Sequence, residues 1–190
     1  DNIMICKLVS AAASEEEEDV RKCPHCGTGS CGEYAVAFDP LDGSSLVDAN
    51  LAIGSIVGIY PSGDFVGRKG RDQVAALYVV YGPRTTLVYS IGKGVHEFQL
   101  NDVGEFTLKR ENLRVGDTAK HFAPGNLRAV SSDKKYRKVM ERWMDSEYTL
   151  RYSGGMVPDI NHIFMKGQGV FTYPPFPPKY PQGKLRLLFE

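Results

Sequence analysis

The sequence predicts a mixed α/β (α+β) fold of layered helices and sheet, and three observations predict it. Short apolar or aromatic runs, among them Tyr34–Phe38, Leu51–Tyr60 and Thr85–Ile91, are bounded by turn-forming residues and read as strands. Gly92-Lys93-Gly94 joins two such runs as a hairpin. Residues 133–146 instead carry apolar side chains at helical spacing. Strands mixed with helices in this way belong to layered architectures, and 190 residues suffice to bury a core.

In chain order, residues 3–12 suit a helix tail running into a strand, and Ser14-Glu15-Glu16-Glu17-Glu18-Asp19 is an acidic run. Tyr34–Phe38 is a buried strand that ends in the carboxylates Asp39 and Asp42 and a small-residue turn. Leu51–Tyr60 follows as a strand in which Gly54 and Gly58 permit close packing. Pro61-Ser62-Gly63-Asp64 is a turn. Residues 71–81 are predicted as a helix, with Val74, Leu77, Tyr78 and Tyr81 on one face. The hairpin strands Thr85–Ile91 and Val95–Leu100 come next, then a turn at Asn101–Gly104 and the segment Glu105–Leu108. The pattern weakens around Gly116–Lys120, which predicts a boundary between an N-terminal part, 1–116, and a C-terminal part, 117–190. Ser132 is the expected cap of the 133–146 helix, whose stripe is Tyr136, Val139, Met140, Trp143 and Met144. A further helix is expected near Pro158, carrying Ile160, Ile163 and Phe164 inward and His162 as a polar helix residue.

Lys+Arg and Asp+Glu balance at 23 each, so no global field draws nucleic acid or an acidic membrane surface. No apolar run reaches transmembrane length. The chain opens on Asp1 and stops at Glu190 inside an apparent strand, so a piece of a longer protein is expected. Cys23-Pro24-His25-Cys26, with Cys31 beyond it, supplies half a structural zinc site without a second half. Reduced thiols in a surface loop, a redox switch and a zinc-stabilised interaction module are the readings open there.

Phe38-Asp39-Pro40-Leu41-Asp42-Gly43-Ser44-Ser45 carries the strongest chemical signal. A strand ending in carboxylates and a small-residue turn can hold hard cations on oxygen ligands. The same turn can aim backbone N–H groups at an anion. Cations and an anion side by side make a site for metal-assisted phosphoryl chemistry. A plain Asp-Pro turn with an Asx-type cap is the alternative.

Together with Gly82-Pro83-Arg84-Thr85-Thr86, Leu150–Asp159 and Gly183–Glu190, these motifs resemble the fructose-1,6-bisphosphatase family over nearly the whole chain. Pro124-Gly125-Asn126-Leu127-Arg128 and Gly154-Gly155-Met156-Val157-Pro158-Asp159 are more similar to the members acting on the seven-carbon sugar. The resemblance implies stacked helix and sheet layers of the sugar bisphosphatase type. It implies hydrolysis of the 1-phosphate of sedoheptulose 1,7-bisphosphate, or of fructose 1,6-bisphosphate, or of both. Glu16, Asp39 and Asp42 would be catalytic, with Glu16 orienting or deprotonating the attacking water. Glu15, Glu16, Asp39, the Leu41 carbonyl, Asp42 and Glu190 would ligate about two or three Mg²⁺, or Mn²⁺. Asp42, Gly43, Ser44 and Ser45 would cradle the phosphate being cleaved. Asn126, Arg151, Tyr152, Gly154, Met156, Tyr173, Lys184 and Arg186 would hold the sugar and second phosphate. It further implies a homodimer or homotetramer, with Arg151 reaching into a neighbouring subunit, in the cytoplasm or a plastid stroma. Departures accompany it: the family's upstream aspartates fall before Asp1, Leu127 stands where the fructose enzyme has a tyrosine, Glu33 and Pro61 replace two cations that bind AMP there, and the Cys23–Cys31 loop is unlike the redox loops of the plastid enzymes.

Overall fold

The computed structural model describes residue 3, residues 7–23 and residues 32–175. Strands β1 (Val9–Ser14), β2 (Arg21–Lys22), β3 (Tyr34–Asp42), β4 (Ile53–Pro61), β5 (Ala75–Tyr81), β6 (Thr85–Ser90), β7 (His96–Leu100) and β8 (Phe106–Arg110) form one sheet, ordered β2-β1-β3-β4-β5-β6-β7-β8. β1 and β3 run parallel, and the other neighbours pair antiparallel. A second, parallel sheet has β9 (His121–Pro124) between β10 (Thr149–Leu150) and β11 (Val170–Thr172). Helix α1 (Lys134–Asp145) packs on the small sheet, and α2 (Met156–Lys166) lies over one face of the large one.

β1 and β3 are built from small residues buried on both faces, including Ala35 and Ala37 at 0% exposure. That suits a parallel pair covered on two sides. The expected hairpin is present as β6 and β7, but residues 75–81 form a strand, not a helix. Helical spacing at 74, 77, 78 and 81 is coincidental: Val74 and Tyr81 are exposed, while Tyr78 and Val80, two apart, are buried. The β-branched and aromatic run Tyr78-Val79-Val80-Tyr81 finds partners in β4 and β6, and that pairing overrides the local pattern.

Helix α1 buries Tyr136, Met140 and Trp143 against Phe122 and Ala129, as its stripe predicts, except that Met144 faces solvent. Its cap is Asp133, not Ser132: the Asp133 carboxylate accepts from the N–H groups of Lys135 and Tyr136. In α2, Pro158 sits in the first turn as expected. Its most buried side chain is Val157, at 1% exposure, with Ile160, Ile163 and Phe164 only half-buried. Among the described residues no helix is long and apolar enough to cross a membrane.

Candidate active site

β3 does not stop at Phe38. It runs through Asp39-Pro40-Leu41-Asp42, so the alternative of a plain Asp-Pro turn gives way to a bulge within a strand. Asp39 pairs with Ile56 and Asp42 with Gly54, so three steps along β3 match two along β4. Regular alternation would put Asp39 and Asp42 on opposite faces; the extra residue puts both on the face of Gly54 and Ile56. Pro40, which has no N–H to give a ladder, sits inside the bulge. Both carboxylates are 1% exposed.

Each has a placed partner. Asp39 Oδ1 accepts from Leu41 N–H at 2.9 Å. Asp42 Oδ2 accepts from Val157 N–H at 2.7 Å, in the first turn of α2, where the helix dipole also favours a negative charge. Gly54 makes this reach possible. A Cβ there would lie 2.3 Å from Val157 Cγ1, so only glycine lets α2 come this close to β4.

Immediately after Asp42 the chain turns at Gly43, whose φ of 82° is left-handed, into a 3₁₀ turn over Ser44–Leu46. Ser44 and Ser45 are exposed on this turn, and Leu46 is buried beside Gly154 and Gly155. Glu15 and Glu16 follow the end of β1, alongside: Glu15 N–H donates to the Phe38 carbonyl at 3.2 Å. The acidic pair is exposed, at the carboxyl ends of two parallel strands, where open α/β sheets bind ligands. Among the described residues no three His, Cys, Asp or Glu side chains converge on one point that would hold a metal.

The second group of predicted residues sits at the carboxyl ends of the three parallel strands of the small sheet. Asn126 lies just beyond β9, Arg151 and Tyr152 follow β10, and Tyr173 follows β11. Asn126 is 7% exposed, has a left-handed φ of 50°, and donates through Nδ2 to the Pro174 carbonyl at 2.7 Å. The Tyr173 ring covers Gly125 closely, with Cδ2 2.4 Å from where a Cβ would stand. Burial raises the pKa of Tyr152, helped by Tyr173 and Asp159 and opposed by Arg128, so these groups share one neighbourhood. Arg151 is exposed, its backbone tied to the Phe122 carbonyl and its Nη1 to the Leu150 carbonyl. Lys184, Arg186 and Glu190 lie outside the described residues, as do Cys26 and Cys31. Cys23 is buried with a free thiol, unlike the surface position expected of it.

Gly154, Gly155 and Met156 join the two groups. Asp159, given no role by the sequence, fixes this junction by accepting from the N–H groups of Ser153 at 2.7 Å and Gly154 at 3.4 Å. Its pKa is raised, chiefly by burial and also by the Asp42 charge, with those hydrogen bonds opposing. Sequence reasoning had a signal available: an acid four residues into a helix that opens on two glycines.

His162 faces His121 with ring centroids 5.9 Å apart. Burial lowers its pKa below 6.5, reinforced by Arg151, His121 and Lys166 and opposed by Asp159. A histidine titrating lower in the folded state contributes fully above pH 6.5, and the contribution is lost as pH falls below it. The Tm of the wild type should therefore fall more steeply on acidification below that pH than the Tm of His162→Gln. Equal slopes for the two proteins would show that His162 does not set this dependence.

Family models cover both parts of the chain. One described as fructose-1-6-bisphosphatase, N-terminal domain, matches residues 1–111, and its C-terminal counterpart matches 115–190. A fructose-1,6-bisphosphatase class 1 of Syntrophotalea carbinolica is 52% identical over 96% of this chain and 55% of its own length. The chloroplastic sedoheptulose-1,7-bisphosphatase of Spinacia oleracea is 48% identical over 84% of this chain and 41% of its own. Among solved structures, a putative sedoheptulose-1,7-bisphosphatase from Toxoplasma gondii superposes with TM-score 0.84 at 39% identity, covering 97% of this chain and 60% of that one. The fructose-1,6-bisphosphatase of Leishmania major in its T-state gives 0.85 at 32%, covering 99% and 62%. The chain thus spans less than two thirds of the length of each of these four relatives. With its two parts matched in order, a shared layered fold and a carboxylate bulge beside a glycine-serine turn, the chain belongs to the fructose-1,6-bisphosphatase family.

Proposed function

We propose that the complete protein is a Mg²⁺-dependent phosphoric monoester hydrolase that removes the 1-phosphate of a ketose bisphosphate. The observation that carries this reading is a site with two ends. Buried Asp39 and Asp42 and the Gly43–Ser45 turn form one end. Asn126, Tyr152 and Tyr173 form the other, across Gly154 and Gly155. A substrate with a phosphate at each terminus would engage both ends.

The donor set fits hard divalent cations, since Glu15, Glu16, Asp39, Asp42 and the Leu41 carbonyl offer only oxygen. Bound there, Mg²⁺ or Mn²⁺ would neutralise the phosphoryl dianion and acidify water. Glu16, exposed at the rim, orients the attacking water and takes its proton. The Gly43 turn and the Ser44 and Ser45 side chains hold the departing phosphate. Asn126, Tyr152 and Tyr173, with Lys184 and Arg186, hold the distal phosphate and sugar, along Gly154 and Met156. Arg151 is exposed and serves the site of a neighbouring subunit in a homodimer or homotetramer. The bacterial source of the Syntrophotalea carbinolica relative favours the cytoplasm over a plastid.

The seven-carbon substrate read from the sequence is no better supported by the relatives than the six-carbon one, and we retain both. Phosphate release from fructose 1,6- and sedoheptulose 1,7-bisphosphate by the complete protein tests the reading. Release that needs Mg²⁺ is expected with at least one sugar, and comparable kcat/KM for both would mark a dual-specificity enzyme. No release from either sugar at saturating Mg²⁺ would overturn the proposal.

A further inference from the structure

Helix α2 rests on the sheet through a stripe that starts beside Asp42 and turns polar further along the helix. Val157, Asn161 and Met165 are four residues apart, so they form one stripe along the helix. Val157 lies over Gly54 of β4. Asn161 Oδ1 accepts from the Tyr78 hydroxyl of β5 at 3.3 Å. Met165 Sδ accepts from Arg110 Nη1 of β8 at 3.0 Å. Arg110 Nε also pairs, at 3.3 Å, with Glu97 of β7, a carboxylate only 1% exposed.

Strand registers connect these groups to the site. Asp39 pairs with Ile56, Ile56 with Tyr78, Tyr78 with Val88, Val88 with Glu97 and Glu97 with Arg110. One cross-strand row therefore runs from a site carboxylate to the buried Glu97 and its exposed partner Arg110, on the face that α2 covers. Close to Glu97, Tyr78 has its pKa raised, chiefly by burial, so its hydroxyl keeps the proton it gives Asn161.

An ion pair with one partner buried is a poor source of stability, because desolvation of Glu97 offsets much of its attraction to Arg110, whose side chain is 44% exposed. Apolar residues would pack under α2 as firmly but would let it slide, whereas directional hydrogen bonds fix one position. We propose that Tyr78, Glu97, Arg110 and Asn161 are positioning residues that set where α2 sits along the sheet, and through Val157 N–H set the aim of the Asp42 carboxylate. The inference deepens the reading of the site as a metal-dependent phosphatase centre and rests on it only for the metal readout.

The test uses the complete protein and two variants. Glu97→Leu/Arg110→Met replaces the ion pair by apolar bulk and should keep its Tm. Tyr78→Phe keeps the ring and removes only the hydroxyl, so it serves if the double variant fails to fold. In either folded variant the Val157 amide should exchange hydrogen faster than in the wild type. Mn²⁺ binding measured by calorimetry should weaken by about tenfold, the scale of losing support behind a metal ligand. The kcat should fall, with KM for the sugar bisphosphate little changed, because the distal group is untouched. Wild-type exchange at Val157 in both variants would overturn the inference. A wild type that hydrolyses no sugar bisphosphate would defeat the proposed activity instead, leaving the exchange measurement to decide the seam.

Discussion

Asp42→Asn in the complete enzyme is expected to lower kcat by about 10²- to 10³-fold while leaving the fold intact, the scale of removing one central electrostatic group. The amide has the shape of the carboxylate, and its oxygen can still accept the Val157 N–H that Asp42 Oδ2 accepts at 2.7 Å. Its NH₂ then stands where the second carboxylate oxygen was, presenting a donor to the cations the site would hold. Phosphate release at saturating Mg²⁺, with circular dichroism as the check on folding, measures the change. Turnover near the wild-type rate would remove Asp42 from the chemistry.

Gly54→Ala should be the most destabilising small substitution near the site, at about 3 kcal/mol in urea unfolding. The new methyl would lie 2.3 Å from Val157 Cγ1 and 2.6 Å from the Val79 carbonyl oxygen, and a backbone atom cannot swing aside. Combining it with Val157→Ala should recover part of the loss and no more, since the Val79 contact remains. Gly70→Ala is the control: a Cβ there meets nothing within 4 Å, and stability should change by no more than about 0.5 kcal/mol. A Gly54→Ala protein as stable as the control would mean that α2 has room to retreat from β4.

Local chemistry explains which parts of this structure could be read from the sequence. The Gly92-Lys93-Gly94 hairpin and α1 follow from nearby residues, and both are present. Residues 71–81 misled because a strand buried on one face and half-covered on the other shows no clean alternation, and its partners lie in β4 and β6. The cap of α1 was off by one residue because Ser132 and Asp133 both qualify; only the backbone geometry puts Asp133 at the turn. The Asp-Pro-Leu-Asp motif put two acids close together in the chain, but did not reveal the bulge, which exists only against β4. Likewise Asn126, Tyr152 and Tyr173 are scattered along the chain and meet only because β9, β10 and β11 run parallel.

The bulge between Asp39 and Asp42 has an evolutionary consequence. Strand pairing counts residues in twos, so the one extra residue acts as a parity setting for the two acids. A chain that lost a residue there could still pair β3 with β4 and bury the same alanines upstream, with one acid turned to the other face. Such a chain would keep its strand pairing but turn Asp39 or Asp42 away from the α2 side, and under the proposed function it would lose its activity. Under the proposed function, the length of this short stretch is therefore a demand of chemistry on top of the demand of strand pairing.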